Sequence, residues 1–395
     1  MKSVLNRVRR LAVRGTVVVG LAALASGARA VEPAQAAGQQ APSSAVRHLL
    51  YVAEPGIRND LQYGGAGILV FDIDRDHRFV RRIATPASRV AKPENVKGVC
   101  ASAATGRLYL STLSRLYCLD LSGDRPIWEK TPPGGCDRMS ITPDGKTLFV
   151  PSLEGAFWNV IDAASGDVVG KIETKSGAHN TVCSRDGKRI YCAGLKSKLL
   201  TVVDTESRKI IGTVGPFSGE IRPFTVNAER TLCFCTVNGL LGFEIGDLRG
   251  DDSTSGKMIE RVEVKGFKTG RSQRHGCPSH GVGLTPDERE VWVCDSANHQ
   301  LHVFDATTMP PRQAADIALR DEPGWVTFSI DGRFAYPSTG DVVDTRSRKI
   351  VAELKDEKDR KVESEKLLEI DFDGNRVAAA GDQFGIGRAR LRPRN

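Results

Sequence analysis

The sequence has 395 residues, 40% of them apolar, and a formal net charge of +8. Six of its positive residues (Lys2, Arg7, Arg9, Arg10, Arg14 and Arg29) fall in the first thirty, which hold no acid, so the remainder carries only +2. The basic character is local to the N-terminus and gives no ground for nucleic-acid binding, which is not expected.

Behind the positive flank comes an apolar run from Thr16 to Ala25 and then Ala28-Arg29-Ala30, small residues around a cleavage position. A signal peptidase reads that order. The run is shorter than the roughly 20 residues of a spanning helix. We expect a signal peptide over 1–30, cleaved after Ala30, and a periplasmic or secreted product with no transmembrane segment. Residues 31–46, dominated by Pro, Ala, Gly, Gln and Ser without periodicity, are expected to be a disordered linker. Residues 47–395 form the folded domain.

Self-similarity organises that domain. One unit reads Met139-Ser-Ile-Thr-Pro-Asp-Gly-Lys-Thr-Leu-Phe-Val-Pro151, then Phe157 to Asp162, then Asp167 to Ile172; the next repeats it from Thr181 to Val214. Each unit is four β-type segments separated by turns. An aspartate closes the third segment at Asp72, Asp120, Asp162, Asp204, Asp305 and Asp344, with Glu244 assigned to that place in the fifth unit; the spacings are 48, 42, 42, 40, 61 and 39. Asp-Gly pairs at Asp144, Asp186, Asp331 and Asp373 supply the positive φ that a tight hairpin needs. A period near 42 with four strands per unit predicts an all-β, seven-bladed β-propeller of four-stranded antiparallel blades.

The first unit begins at His48 with a second-strand pattern and has no inner strand before it, whereas Leu367 to Gly374 is an inner-strand pattern at the far end. Joining the two closes the ring with strands from both termini and leaves no open sheet edge. Arg376 to Gly381 also reads as a second strand, in competition with Leu49 to Val52.

The Thr-Pro-Asp-Gly-Lys turn with its following Leu-Phe-Val or Ile-Tyr strand, the closing Val-Ile-Asp or Val-Val-Asp, and Ser279-His280-Gly-Val-Gly-Leu-Thr-Pro-Asp287 resemble the YVTN-repeat propellers, over roughly residues 48–385. The resemblance implies the fold and speaks less to activity. It extends to the lactonase-type propellers, which open cyclic esters with channel-mouth His, Arg and Glu residues. Carried over by position, that makes His179 or His280 the acid/base, Arg138 and Arg222 the carbonyl and carboxylate binders, and Glu365 an accessory base.

In a propeller the loops entering the innermost strands crowd one mouth of the channel. Counting eight residues back from each hairpin glycine, and one further on, brings Asp137, Arg138, His179, Arg222, His280 and Trp325 to one rim. Two imidazoles and two guanidiniums there suit a carboxylate or phosphate and a proton transfer. The loop from Lys265 to Ser279, with Lys268, Arg271 and Arg274, reads as a basic lid over the same mouth, and the Glu54–Gly67 loop with Arg58 emerges beside it. The expected function is binding of a small anionic ligand or a protein partner, by a monomer, with lactone hydrolysis as the alternative.

No cofactor is expected. His275, Cys277 and His280, with His179, are metal-ligand types in a spacing that chance often supplies. Nine cysteines, an odd number with no Cys-x-x-Cys-His, argue against a covalent c-type haem site and sit mostly in β-patterned segments; Cys183 and Cys192 flank one hairpin and would form a disulfide if its register made them face. N-terminal sequencing of the mature protein should begin at Val31; a product retaining Met1 would refute export by this signal.

Overall fold

The computed structural model describes residues 46–249 and 256–388. The expected signal peptide, and the linker up to residue 45, lie outside them.

Seven antiparallel sheets make a seven-bladed β-propeller, and the only helices among the described residues are three short 3-10 turns. No described helix is long and apolar enough to cross a membrane. The innermost strands of blades 2 to 7 are Val96–Ser102, Ser140–Ile141, Ala178–Cys183, Ile221–Val226, Val282–Leu284 and Val326–Phe328. Burial separates inner from outer strands. Ala178–Cys183 is buried at every position, whereas the outer strand Val168–Glu173 buries only Ile172. The middle strands are packed on both faces by neighbouring blades, so they read as continuous apolar runs rather than alternating ones.

The recurring aspartate has a local cause. Where the chain leaves each third strand, one carboxylate oxygen accepts the N–H two or three residues on: Ser122 to Asp120 at 3.0 Å, Ser207 to Asp204 at 2.9 Å, Thr307 to Asp305 at 2.9 Å and Ser347 to Asp344 at 2.7 Å. These Asx turns lead into the outer strand. In the fifth blade that role belongs to Asp247, which accepts the Arg249 N–H at 2.9 Å. Glu244 instead lies mid-strand, fully buried opposite Cys235 and Arg261. The assignment to Glu244 is three residues early: Asp247 stands 43 residues after Asp204, nearer the period of about 42, and it is the residue that ends the strand Gly242–Asp247.

Blade 1 takes its inner strand from the C-terminus. Leu367–Asp373 pairs with Arg47–Glu54, from Arg47 opposite Phe372 to Val52 opposite Leu367. The next segment, Arg376–Ala380, does not compete with residues 49–52. It adds to the free edge of Leu367–Asp373 and makes blade 1 five-stranded. All nine cysteines are buried free thiols, and Cys183 and Cys192 do not face each other: their cross-strand partners are Ile190 and Thr181.

The closing strand carries a buried acid pair. Glu369, 3% exposed, accepts the Ile330 N–H, and Asp371, two residues on, leaves one oxygen buried without a partner. Burial, outweighing the Ile330 bond and reinforced by Asp371, pushes the Glu369 carboxyl up to about 9 from 4.5. A raised folded value means stability is complete below the unfolded value and falls as pH climbs toward the folded one. Glu369→Gln, isosteric and uncharged, should therefore flatten the decline in Tm between about pH 5 and pH 9; a variant whose Tm falls as steeply as the wild type refutes this.

Candidate functional site at the channel mouth

The loops entering the innermost strands converge on a cavity of about 300 Å³, lined by Lys97, Arg138, His179, Arg222, His280, Glu365 and Lys366 from six blades. Arg58 reaches it from the loop after the first strand, and Arg274, His275 and Gly276 from the long loop before blade 6. Two glycines make room for this arrangement. A Cβ on Gly324 would fall 2.0 Å from the His275 ring, and one on Gly276 would fall 1.5 Å from Arg222 Nη2.

Glu365 is the hub. Its Oε2 accepts from Lys366 Nζ at 2.7 Å and forms an ion pair with Arg138, while Oε1 accepts from His275 Nδ1 at 2.8 Å. Burial alone would raise this carboxyl; Lys366 and Arg138 outweigh it and hold it well below the usual carboxylate range. Burial brings the Lys366 amine down to about 8 against the pull of Glu365.

Beside it, Asp137 Oδ2 lies 2.6 Å from His179 Nδ1 and Lys97 Nζ lies 3.4 Å from Oδ1. Asp137, fully buried, is nevertheless held down at about 2 by His179, Lys97 and Arg138.

Hydrogen-bond roles settle two tautomers. Arg138 Nη1 stands 3.4 Å from His179 Nε2 and a guanidinium can only donate, so Nε2 carries the lone pair and Nδ1–H faces Asp137. His280 Nδ1 lies 2.8 Å from the Gly324 carbonyl, which only accepts, so His280 also keeps its lone pair on Nε2. Burial lowers His280 well below the usual imidazole range. His275, bound to Glu365 through Nδ1, has a buried Nε2 with no partner. Arg222, only partly buried, has no ion-pair partner among the described residues; its Nε is buried without an acceptor, and its guanidinium lies beside Cys277.

Register counting thus places Arg138, His179, Arg222 and His280 around one cavity, with Asp137 behind His179 and Trp325 beneath Arg138, whose guanidinium lies 4.6 Å from the Trp325 ring centroid. Lys97 was not singled out, and His275 was named only as a metal-ligand type in the loop over the mouth. Lys97 shares Glu365's register, one residue before the counted position, and an inspection of that position would have found it. The loop is less free than its charges suggested. Arg274 pairs with Asp321 at 2.5 Å and Glu363 at 3.1 Å and packs on Tyr63, and Ser272 is tied to Glu322. Arg271 is exposed and does not line the cavity. Among the metal-ligand types, His275 and His280 group with Glu365, not Cys277. The Cys277 thiol donates to the Ser279 carbonyl at 3.0 Å and is pushed up to about 11 by burial against the pull of Arg222.

No protein-family model and no curated protein sequence matches the chain. Solved structures do. The chain is a β-propeller. A periplasmic gluconolactonase of Pseudomonas aeruginosa superposes with a TM-score of 0.60 at 16% identity, covering 81% of this chain and 97% of that one. Kuenenia stuttgartiensis hydrazine synthase gives 0.54 at 14% identity over 72% and 88%, and the Cps50 (Swd1) propeller domain of Myceliophteria thermophila 0.56 at 11% over 73% and 91%. These likenesses are of fold.

Glu365→Gln would leave Arg138 and Lys366 without their shared countercharge at a site 5% exposed. Urea unfolding should show a loss of about 3–5 kcal/mol, as for other broken buried pairs. Adding Arg138→Gln should recover part of it. A single-variant loss below about 1 kcal/mol would show that the cluster is only a surface-like ion pair.

Proposed function

We propose that the mouth binds a small oxyanion, a carboxylate or phosphate, in an exported propeller. The observation carrying this is the charge balance of the lining: Arg58, Lys97, Arg138, Arg222, Arg274 and Lys366 against Glu154 and Glu365. With Arg138, Lys366, Arg274 and Lys97 already paired, Arg222 and the exposed Arg58 are the lining cations without an ion pair among the described residues, and Arg222 is the less exposed of the two. A partly buried guanidinium whose buried Nε lacks an acceptor favours an anion that supplies one, since leaving such a donor unmet is costly. Export is supported by the N-terminal pattern and by the periplasmic likeness in fold.

A second reading, lactone opening, is favoured by one feature: the unpartnered Nε2 of His275, backed by Glu365 through Nδ1. In it, His275 Nε2 takes the proton of a water that attacks the lactone carbonyl. Arg222 stabilises the resulting oxyanion, the ring C–O bond breaks, and the imidazolium returns the proton to the leaving alkoxide. The architecture shared with a gluconolactonase supports this reading too. His179 is less suited to be the base, because Arg138 occupies its Nε2.

Arg222→Ala should weaken inorganic phosphate or acetate binding by about tenfold or more in calorimetry, with little change in Tm. Arg346→Ala, on the exposed surface, should leave affinity unchanged. Wild-type binding should also weaken with salt, as screening requires. Equal affinity in Arg222→Ala and wild type ends the anion reading; turnover of simple lactones, lost in His275→Gln, would establish the second.

A further inference from the structure

The chain does not stop where the ring closes. After Arg376–Ala380 it forms a loop inside the channel that touches the inner strands of several blades. Thr327 Oγ1 donates to the Asp382 carbonyl at 2.8 Å, Leu284 N–H and Thr225 Oγ1 donate to Gly385, and Gly387 N–H donates to Val226. The loop turns at Gln383, 1% exposed, one layer beneath the mouth.

Gln383 spends both side-chain polar atoms and its carbonyl on blade 2, Glu365 and Trp325. Its Oε1 accepts the Val99 N–H at 2.9 Å, and its Nε2 donates to the Glu365 carbonyl at 3.2 Å. Its own carbonyl accepts the Trp325 indole N–H. Trp325 in turn lies under the Arg138 guanidinium, and Glu365 holds it from the side. Phe384 packs edge-on against Trp325, with ring centroids 5.6 Å apart, and keeps the turn in place. One residue therefore joins the backbone of blade 2, the carbonyl of the hub acid and the ring beneath the central cation.

We propose that Gln383 is a positioning residue of the mouth site, setting the height of Glu365 and the tilt of Trp325 so that Arg138 stays paired and Arg222 stays free for a ligand. The proposal rests on the anion-binding reading of that site. Gln383 lies below the lining residues, so its effect on a ligand must pass through Glu365, Trp325 and Arg138.

The test uses the full-length protein and inorganic phosphate as the probe. Gln383→Ala removes both side-chain bonds and keeps the carbonyl; phosphate Kd should rise about tenfold. Ile386→Ala, in the same loop and in the apolar cluster that holds Trp325 and Phe384 but with no bond to Val99 or Glu365, should lower Tm at least as much and leave Kd within about twofold. Wild-type affinity in Gln383→Ala overturns the proposal, and so does equal weakening by the two variants at matched loss of Tm. If the wild type binds no phosphate, the anion reading fails by itself and the positioning role is read from NMR. Gln383→Ala must then shift the Arg138 side-chain N–H signal and Ile386→Ala must not; an unmoved Arg138 signal overturns it.

Discussion

Six register pairs, Arg47 opposite Phe372 through Val52 opposite Leu367, join the beginning of the domain to its end, and every other feature is hung on that ladder. Without it blade 1 has three strands and an unpaired inner edge, the template for association that closed rings avoid. With it, Glu365 and Lys366 are delivered to the mouth at the residues just before the strand begins. The same pairing sends the remaining chain into the channel, where it can support the site from beneath. Closure and chemistry share one segment, so the site is assembled from residues more than 200 positions apart, as the Arg138 to Glu365 pair shows.

The mouth illustrates how a buried charge set is kept ionised. Isolated, Glu365 or Asp137 would give up its charge on burial. Each is instead surrounded by cations and hydrogen-bond donors that reverse the burial effect. Glu369, a few residues on and also buried, has the opposite fate: burial raises it, no cation among the described residues offsets that, and Asp371, another acid, adds to it. Two glutamates four residues apart on one segment thus differ in ionisation through their neighbours alone.

Much of the fold was legible because propeller geometry imposes local chemistry that recurs. Asp-Gly turns are needed wherever a tight hairpin demands positive φ, and Gly145, Gly187, Gly332 and Gly374 all have it. An Asx turn is formed wherever the third strand hands over to the fourth, which is why those aspartates repeat. The misplacement of Glu244 shows the limit: a buried acid and a turn acid look alike in spacing and differ only in packing. For the site, position within the repeat located Arg138, His179, Arg222 and His280, because register is a local property. It could not reveal that Arg138 is committed to Glu365 while Arg222 is not, since that depends on contacts across the ring. Nor could it reveal that Asp321, Glu322 and Glu363 would tie down a loop whose own charges are all positive. The role of Arg376–Ala380 was likewise out of reach: its pattern describes a strand but not which edge receives it.

The order in which the ring can be finished follows from where its closing strand lies. The first strand, Arg47–Glu54, emerges from synthesis early and has no inner neighbour until Leu367–Asp373 has also been made. The loop carrying Gln383 is later still and can seat only against innermost strands that are already in place. Blades in the middle of the chain hold all of their strands locally and can form as they appear, yet the ring of blades stays open until Leu367–Asp373 has been made. A partly made chain therefore keeps an unlatched seam, and the pairing of Leu367–Asp373 with Arg47–Glu54 is what converts a row of blades into a sealed ring.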